Sequence, residues 1–287
     1  MILDFKQPEL SQKGIVDQVV REQDIRMCDQ SFGNLFCWAG CYRAELAVWK
    51  ESFISRWGTR ISVPLGPQRR EMLESLMAGG TTRFLGIDEA YKEWMEQAFP
   101  GRFVFRPQRD SADYIYDRQA LETLKGKKLA AKRNHINYFE QAYRWEIRPL
   151  GRDTLEDVNR FNNWWCAENA CLQNLSLRRE SCAVRRGLDH FEQLGYRGIV
   201  LYADGKICAF TFGERLGREG FCVHVEKADA GIRGAYPMVN RELIKTLPAE
   251  IQWINREDDA GDAGLRKAKL SYHPAVLLMK YEAEVQE

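Results

Sequence analysis

The stretch YRGIVLYADGKICAFTFGERLGREGFCVHVEKAD (residues 196–229) contains three apolar runs separated by two short turns. Asp204-Gly205 stands between the first two runs, and this dipeptide between apolar segments is a strong signal for a two-residue hairpin turn. The glycine-bounded sequence LGREG (216–220) separates the second run from the third. The stretch therefore predicts a three-stranded antiparallel meander.

Strand and helix patterns alternate on both sides of the meander. RWEIRPLG (144–151) predicts a short strand. Asp153, with Glu156 three residues later, forms a capping-box pattern that starts a helix running to about Glu168. After the meander we predict, in order, a helix (236–247) ended by Pro248 and a strand (251–258). Residues 261–274 then predict a turn and a short basic helix stopped by Pro274, and a last strand (275–285) follows. The predicted order in this half is β-α-(α)-βββ-α-β-α-β.

The N-terminal half has a similar order of elements in a looser form. NLFCWAGCYRAELAVWKESFISRW (34–57) is rich in apolar and aromatic residues, which favours strands. The patterns that follow predict helices over 68–78 and 88–99, and strands over 81–87 and 102–107. We predict an α/β (α+β) protein with two domains, 1–145 and 146–287, each a mixed, mostly antiparallel sheet flanked by helices.

Composition excludes several classes of protein. The 287 residues include 42 basic and 41 acidic side chains, so recognition of an anion should be local and not spread over the surface. No apolar run is long enough to predict a membrane span, and the N-terminus lacks the pattern of a secretory signal. Eight cysteines without a C-x-x-C pair, and only four histidines, predict structural thiols and no metal site, with Cys208 and Cys222 buried in strands. A cytoplasmic protein is expected.

The segment LKGKKLAAKRNHINYF (124–139) contains the cationic residues Lys125, Lys127, Lys128, Lys132 and Arg133 and no acidic residue. Leu129, Ile136 and Phe139 have the spacing of one helix face, so a helix is predicted. Its candidate phosphate ligands are Lys125, Lys128, Lys132, Arg133, Asn134 and His135. Two interpretations stay open: a solvated helix face, or a site for the phosphates of tRNA, a lipid headgroup or a nucleotide cofactor.

This segment resembles a signature of the phosphatidylglycerol lysyltransferase C-terminal domain family, as do HVEKADAGIRGAYPMVNREL (224–243) and WINREDDAGDAGLRKAKLSYHP (253–274). The resemblance covers nearly the whole chain. It implies two tandem GNAT-like acyltransferase folds, similar to those of the peptidoglycan-bridge aminoacyltransferases. Members of known function move an aminoacyl group from aminoacyl-tRNA to a lipid hydroxyl, and the peptidoglycan-bridge enzymes move it to an amine.

The resemblance also implies partners and a location. The expected partners are tRNA as the carrier of the donor and a lipid or amine as the acceptor. The membrane-spanning part of the full-length lipid enzymes has no counterpart in this sequence, so only peripheral contact with a membrane is expected.

In GNAT-like folds the donor phosphates lie on backbone amides at a helix N-terminus. The resemblance places this site in the second domain at Gly231, Arg233 and Gly234. The acetyl-CoA form of the loop is R/Q-x-x-G-x-G/A, and here Ile232 or Arg233 occupies the position of the earlier glycine. No cofactor is therefore certain: aminoacyl-tRNA is the expected donor, and acyl-CoA is the alternative.

Catalytic candidates come from the strand FCVHVEK (221–227). Strict alternation places His224 and Glu226 on one face, where Glu226 is the favoured proton acceptor. A structural His–Glu pair is the competing interpretation. Tyr272 is a candidate donor to a carbonyl oxygen as it becomes negative.

Further phosphate-binding candidates in the third stretch are Asn255, Arg256, Arg266, Lys269 and His273. The competing interpretation is an internal ion-pair network.

Three functional classes follow from these observations. The first is an aminoacyltransferase, with an acyl-CoA-dependent N-acyltransferase as its close variant. The second is a non-catalytic module that binds RNA or an anionic membrane. The third is a structural protein with solvated charges.

Overall fold

The computed structural model describes residues 3–286, and the predicted domain limits Met1 and Glu287 lie outside this range. The strands are β1 (Ala44–Trp49), β2 (Ser52–Trp57), β3 (Arg60–Ile61), β4 (Arg83–Ile87), β5 (Phe103–Asp117), β6 (Trp145–Pro149), β7 (Arg197–Ala203), β8 (Lys206–Leu216), β9 (Gly220–Ala228), β10 (Trp253–Asn255) and β11 (Val276–Val285). The helices are α1 (Lys13–Glu22), α2 (Phe32–Tyr42), α3 (Arg69–Ala78), α4 (Glu89–Ala98), α5 (Arg118–Thr123), α6 (Ala130–Ala142), α7 (Leu155–Glu168), α8 (Leu175–Asp189), α9 (Ala235–Thr246) and α10 (Ala263–Leu270).

Most of the strands form one mixed sheet. Within the described residues its order is β4-β11-β5-β10-β9-β8-β7-β6, while β1, β2 and β3 form a separate small sheet. Neighbours in the large sheet are antiparallel except β9 and β10, which are parallel. At the β4 edge of this sheet, β4 and β5 from residues 1–145 alternate with β11 and β10 from residues 146–287. This arrangement does not show two tandem domains, and the division at residue 145 stays a prediction.

The predicted meander is confirmed. β7, β8 and β9 are consecutive antiparallel neighbours. Asp204 and Gly205 in the first turn both have positive φ, 50° and 76°. A two-residue type I′ turn requires this conformation, and the Asp-Gly dipeptide adopts it easily. Buried apolar residues lie on both faces of the meander, one face packing on α7 and the other on α9.

The strand expected over residues 34–42 is wrong, because this segment is helix α2. The Ser31 side chain accepts a hydrogen bond from the amide of Asn34 and caps its N-terminus. The helix is buried on nearly every side, so it lacks the polar face that reveals a helical period. Helix α7 also begins later than expected, after Thr154 and not after Asp153.

The basic segment forms a 3₁₀ turn, Lys127–Leu129, followed by α6. Leu129, Ile136 and Phe139 are buried as the spacing predicts. Helix α6 packs closely on the residue that precedes α9: a Cβ atom at Gly234 would lie 2.4 Å from the carbonyl oxygen of His135. Gly234 also has a φ of 94°, which side chains rarely adopt. The basic helix and the predicted loop are therefore neighbours.

Gly234→Ala should lower the free energy of unfolding by about 2–4 kcal/mol, because it adds both backbone strain and a steric overlap with α6. Urea unfolding followed by circular dichroism measures the change. Gly14→Ala is the matched control, since a Cβ at Gly14 of α1 meets nothing within 4 Å. The control should be neutral or more stable by up to about 1 kcal/mol. Equal stability of the two variants would contradict the close packing at Gly234.

Candidate functional site

The candidate site lies where β9 and β10 separate. They pair in parallel from Gly220–Trp253 to Cys222–Asn255. β10 then ends, while β9 continues to Ala228. Beyond the Cys222–Asn255 pair, the backbone of β9 no longer bonds to the segment that follows β10, so polar side chains enter the gap. This opening collects residues from the second and third sequence motifs.

A β-bulge at His224 changes which side chains share a face. Phe212 of β8 pairs with Val225, and Gly213 pairs with Val223, so His224 has no partner residue. An extra residue reverses the alternation beyond it. His224 consequently points to the α2 side of the sheet, whereas Glu226 points to the α9 side. The prediction that His224 and Glu226 share one face is wrong.

His224 lies between two carboxylates. Its Nδ1 is 2.8 Å from Glu257 Oε1, and its Nε2 is 2.9 Å from Glu214 Oε1. Cys222 Sγ is 3.6 Å from Nδ1. Burial alone would lower the pKa of His224, but Cys222, Glu214 and Glu257 outweigh burial and raise this pKa well above its ordinary value. Both ring nitrogens are engaged by carboxylates, so in this arrangement neither is free to accept a proton from a substrate.

Glu226 is bound on the opposite face. Its two oxygens accept hydrogen bonds from Arg256 Nη2 at 2.8 Å and Asn240 Nδ2 at 2.7 Å. Arg256 stacks on the ring of Tyr272, with Cζ 4.6 Å from the ring centroid, and Lys132 Nζ lies 4.0 Å from the same centroid. The fold thus brings together candidates from all three motifs: the basic helix, β9 and the C-terminal motif.

Burial shifts the pKa of two side chains in this group. It lowers the pKa of Lys132, with the nearby Arg256 guanidinium acting in the same direction. It raises the pKa of Tyr272 well above its ordinary value, so the phenol keeps its proton and can donate a hydrogen bond. Two cationic groups and one phenol therefore face the same small region.

Several predicted phosphate ligands are used inside the protein. Arg133 donates to the carbonyl oxygens of Leu124 and Gly126 and stabilises the turn before α6. Asn255 is fully buried and donates to the carbonyl oxygen of Arg26 and to Asp113 Oδ2. Neither side chain is available to a ligand in this arrangement.

The same holds for two residues of α10. Arg266 donates to both oxygens of the buried Asp259, each at 2.8 Å, and also binds Asp110. Lys269 donates to the carbonyl oxygens of Arg256 and Asp258. The internal-network interpretation of this motif is thus the one that the structure supports for Arg266 and Lys269.

Other predicted residues remain exposed. The exposed side chains are Lys125, Lys128, Asn134, His135 and His273. Arg233 lies near them, with Cζ 4.3 Å from the centroid of the Tyr138 ring. In the loop before α9, the amide of Gly231 donates to Asp229 Oδ1 at 2.8 Å. A carboxylate of the loop itself therefore occupies one amide expected to hold phosphate.

A cavity of about 520 Å³ opens on the α2 side of the sheet. Its wall includes carboxylates and large aromatic side chains: Asp29, Glu257 and Asp258, and Trp38, Tyr42, Trp57 and Tyr281. Glu257 belongs both to this wall and to the hydrogen bonds of His224. The sequence motifs do not reveal the cavity, because its lining comes from segments between residues 28 and 281.

Lys280 in the cavity wall has its own counter-charges, the buried Asp113 and the partly exposed Asp29. Its Nζ is 2.8 Å from Asp113 Oδ1 and also binds Asp29. Burial alone would lower the pKa of Lys280, but Asp113 and Asp29 outweigh burial and raise it. A single lysine in the apolar run AVLLMKYEAEV (275–285) was the available sequence signal for this pair.

Residues 21–284 match the protein family described as phosphatidylglycerol lysyltransferase, C-terminal. The chain belongs to this family. The predicted resemblance is thereby confirmed, and the protein is a member of an acyltransferase family.

Solved structures with a similar fold cover nearly the whole chain. A conserved protein of unknown function from Bacteroides thetaiotaomicron VPI-5482 is 38% identical, covers 99% of this chain and 100% of its own, and has a TM-score of 0.93. L-PGS from Bacillus licheniformis is 16% identical, with coverages of 99% and 94% and a TM-score of 0.67. An acetyltransferase of the GNAT family from Colwellia psychrerythraea is 9% identical, with full coverage of both chains and a TM-score of 0.52. The last two show the fold alone, and they confirm the predicted GNAT-like fold.

Among residues 3–286 of this family member, none of the helices has the length and apolar character needed to cross a bilayer.

Glu226→Gln should lower the free energy of unfolding by about 3 kcal/mol, because Arg256 would remain largely buried without its counter-charge. Urea unfolding measures the loss. Glu250→Gln is the matched control, since Glu250 pairs with Arg215 and both side chains are more than half exposed. The control should cost less than about 1 kcal/mol. Similar losses in both variants would show that the Glu226–Arg256 pair is not a buried ion pair in solution.

Proposed function

We propose that this protein transfers an aminoacyl group from aminoacyl-tRNA to the hydroxyl or amine of an acceptor, with a lipid headgroup as the favoured acceptor. The observation that carries this proposal is the position of the acidic, aromatic-lined cavity beside the opening between β9 and β10. Family membership supports acyl transfer, and the chemistry of the cavity supports an acyl group that carries an amine.

The cavity suits a cation. Asp29, Glu257 and Asp258 contribute three carboxylates. The wall also has two cationic side chains, the exposed Arg60 and Lys280, and Lys280 already pairs with Asp29 and Asp113. Carboxylates attract an ammonium group, and the faces of tryptophan rings bind cations when water is excluded. The α-amine of an aminoacyl group, or the side-chain amine of a lysyl group, would satisfy this wall. An acetyl group is uncharged and could not form an ion pair with these carboxylates.

The opposite face of the sheet suits an anion. Lys125, Lys128 and His135 are exposed on or beside α6, and Arg233 lies nearby. No carboxylate of the described residues lies within ion-pair distance of Lys125 or Lys128. Phosphates of a tRNA acceptor end would supply the missing negative charge. Arg256 and Glu257, adjacent in the chain, face these two surfaces, so a donor could reach from one to the other at this point.

The chemistry follows from the two surfaces. The acceptor oxygen or nitrogen would attack the ester carbonyl, and the bond from the acyl carbon to the ribose oxygen would break. The ribose hydroxyl would leave with a proton, and the acceptor would lose one. Arg256, Lys132 and the Tyr272 phenol are the groups that could stabilise negative charge on the carbonyl oxygen. Glu226 as proton acceptor stays a prediction, and it would first have to release Arg256 or Asn240.

The first test is binding of purified protein to deacylated bulk tRNA over a range of salt concentrations. Lys125→Ala/Lys128→Ala should weaken binding and reduce the slope of log K against log salt by about 1.4–1.8, the value for two phosphate contacts. The matched control is Arg197→Ala/Lys206→Ala, which removes two exposed cations from β7 and β8. An equal effect of both pairs would mean that tRNA binds by overall charge and not at α6.

The second test supplies bulk tRNA charged with labelled amino acids, together with vesicles containing phosphatidylglycerol or with small amines. Label in the lipid or amine product would support the proposal. Binding of tRNA without transfer to any acceptor would favour the non-catalytic module. Transfer from acetyl-CoA alone would favour the N-acyltransferase variant, which the occupied Gly231 amide argues against.

A further inference from the structure

We propose that Cys222, His224 and Glu257 form a binding site for one divalent metal ion of the zinc type. The three residues come from β9 and from the segment after β10, and they meet on the α2 side of the opening. The proposal stands on their geometry and does not depend on the aminoacyl transfer proposed above.

The three ligand atoms lie close to the separations that a shared metal would require. His224 Nδ1 is 2.8 Å from Glu257 Oε1, and Cys222 Sγ is 3.6 Å from Nδ1 and 3.9 Å from Oε1. In a tetrahedral zinc site with ordinary bond lengths, such atoms are about 3.3–3.6 Å apart. Movements of about half an ångström would therefore give zinc geometry, which is within the reach of the Glu257 side chain.

A further carboxylate holds the imidazole in the orientation that metal binding needs. Glu214 Oε1 lies 2.9 Å from His224 Nε2, and this leaves Nδ1 directed at the other two ligands. Glu214 Oε1 is fixed in turn by the amide of Gly33 at 3.0 Å. Histidines that bind metals usually engage a carboxylate through their second nitrogen.

The backbone is shaped to bring the ligands together. The bulge leaves His224 without a partner residue on β8, so its ring can lie among Cys222, Glu214 and Glu257. Glu257 has a φ of 58°, a conformation that is uncommon for residues other than glycine. It is held there by hydrogen bonds from its amide to Asn255 Oδ1 and from the Tyr114 amide to its carbonyl oxygen.

The proposed site has room for a fourth ligand. Glu257 lines the 520 Å³ cavity, so solvent or a substrate oxygen could reach the metal from that side. Three protein ligands with an open position are typical of catalytic zinc, whereas structural zinc has four protein ligands. The sequence hides this set because Glu257 lies 33 positions after His224, with no recognisable metal-binding spacing.

Cobalt(II) is the probe that tests the proposal. Protein stripped with a chelator should bind one Co²⁺ per chain, with an intense thiolate-to-cobalt absorption band and visible bands of tetrahedral intensity, and Zn²⁺ should displace it. Cys222→Ser should abolish the thiolate band. Cys182→Ser is the matched control, because the exposed Cys182, beside Cys41, is another place where a thiolate could take cobalt. The control should keep the band.

Two further variants separate metal binding from folding. Glu257→Gln, at the cavity wall, should weaken Co²⁺ and Zn²⁺ binding even if Cys222→Ser does not fold. Glu214→Gln keeps all three ligands and should weaken binding by about 10–100-fold through loss of ring orientation. Circular dichroism confirms that each variant is folded. The proposal is overturned if the wild type binds no stoichiometric metal, if the band survives in Glu257→Gln with unchanged affinity, or if Cys182→Ser removes it.

Discussion

The separation of β9 and β10 is the constraint on which the rest of the site depends. Backbone pairing stops after Cys222 and Asn255, so the amides and carbonyls beyond them need other partners. Asn255 accepts from the amide of Glu257, and Lys269 donates to the carbonyls of Arg256 and Asp258. These bonds keep the segment after β10 apart from β9. Lys269 therefore acts as a support of the opening, although its charge had suggested a phosphate ligand.

The opening also divides the chemistry of the protein between two faces. On the α9 side, Glu226, Arg256 and Tyr272 lie beside the cationic helix α6. On the α2 side, His224 and Glu257 lie beside the acidic cavity. An acyl donor with a polyanionic carrier and a cationic acyl group needs both environments close together. The metal site proposed on the α2 side would add a Lewis acid at the boundary, and its test is independent of the donor.

Local patterns predicted much of the fold. The Asp204-Gly205 turn, the apolar stripe of α6 and the strand at 276–285 all formed as expected, because each depends on neighbouring residues. Helix α2 was missed for a physical reason: a helix buried on nearly every side lacks the polar face that would show its period. Of the predicted site residues, Arg133, Asn255, Arg266 and Lys269 turned inward, since a charge pattern does not reveal which charges have partners.

By itself the sequence determined the meander, the cationic helix and the family to which the chain belongs. Only the tertiary structure decided which side chains act together. His224 and Glu226 are two residues apart and should share a face, yet a bulge against β8 sends them to opposite faces. The cavity, the Lys280–Asp113 pair and the Cys222–His224–Glu257 cluster join residues far apart in the chain. Such sites depend on the register and separation of strands, which are set by the packing of the whole sheet.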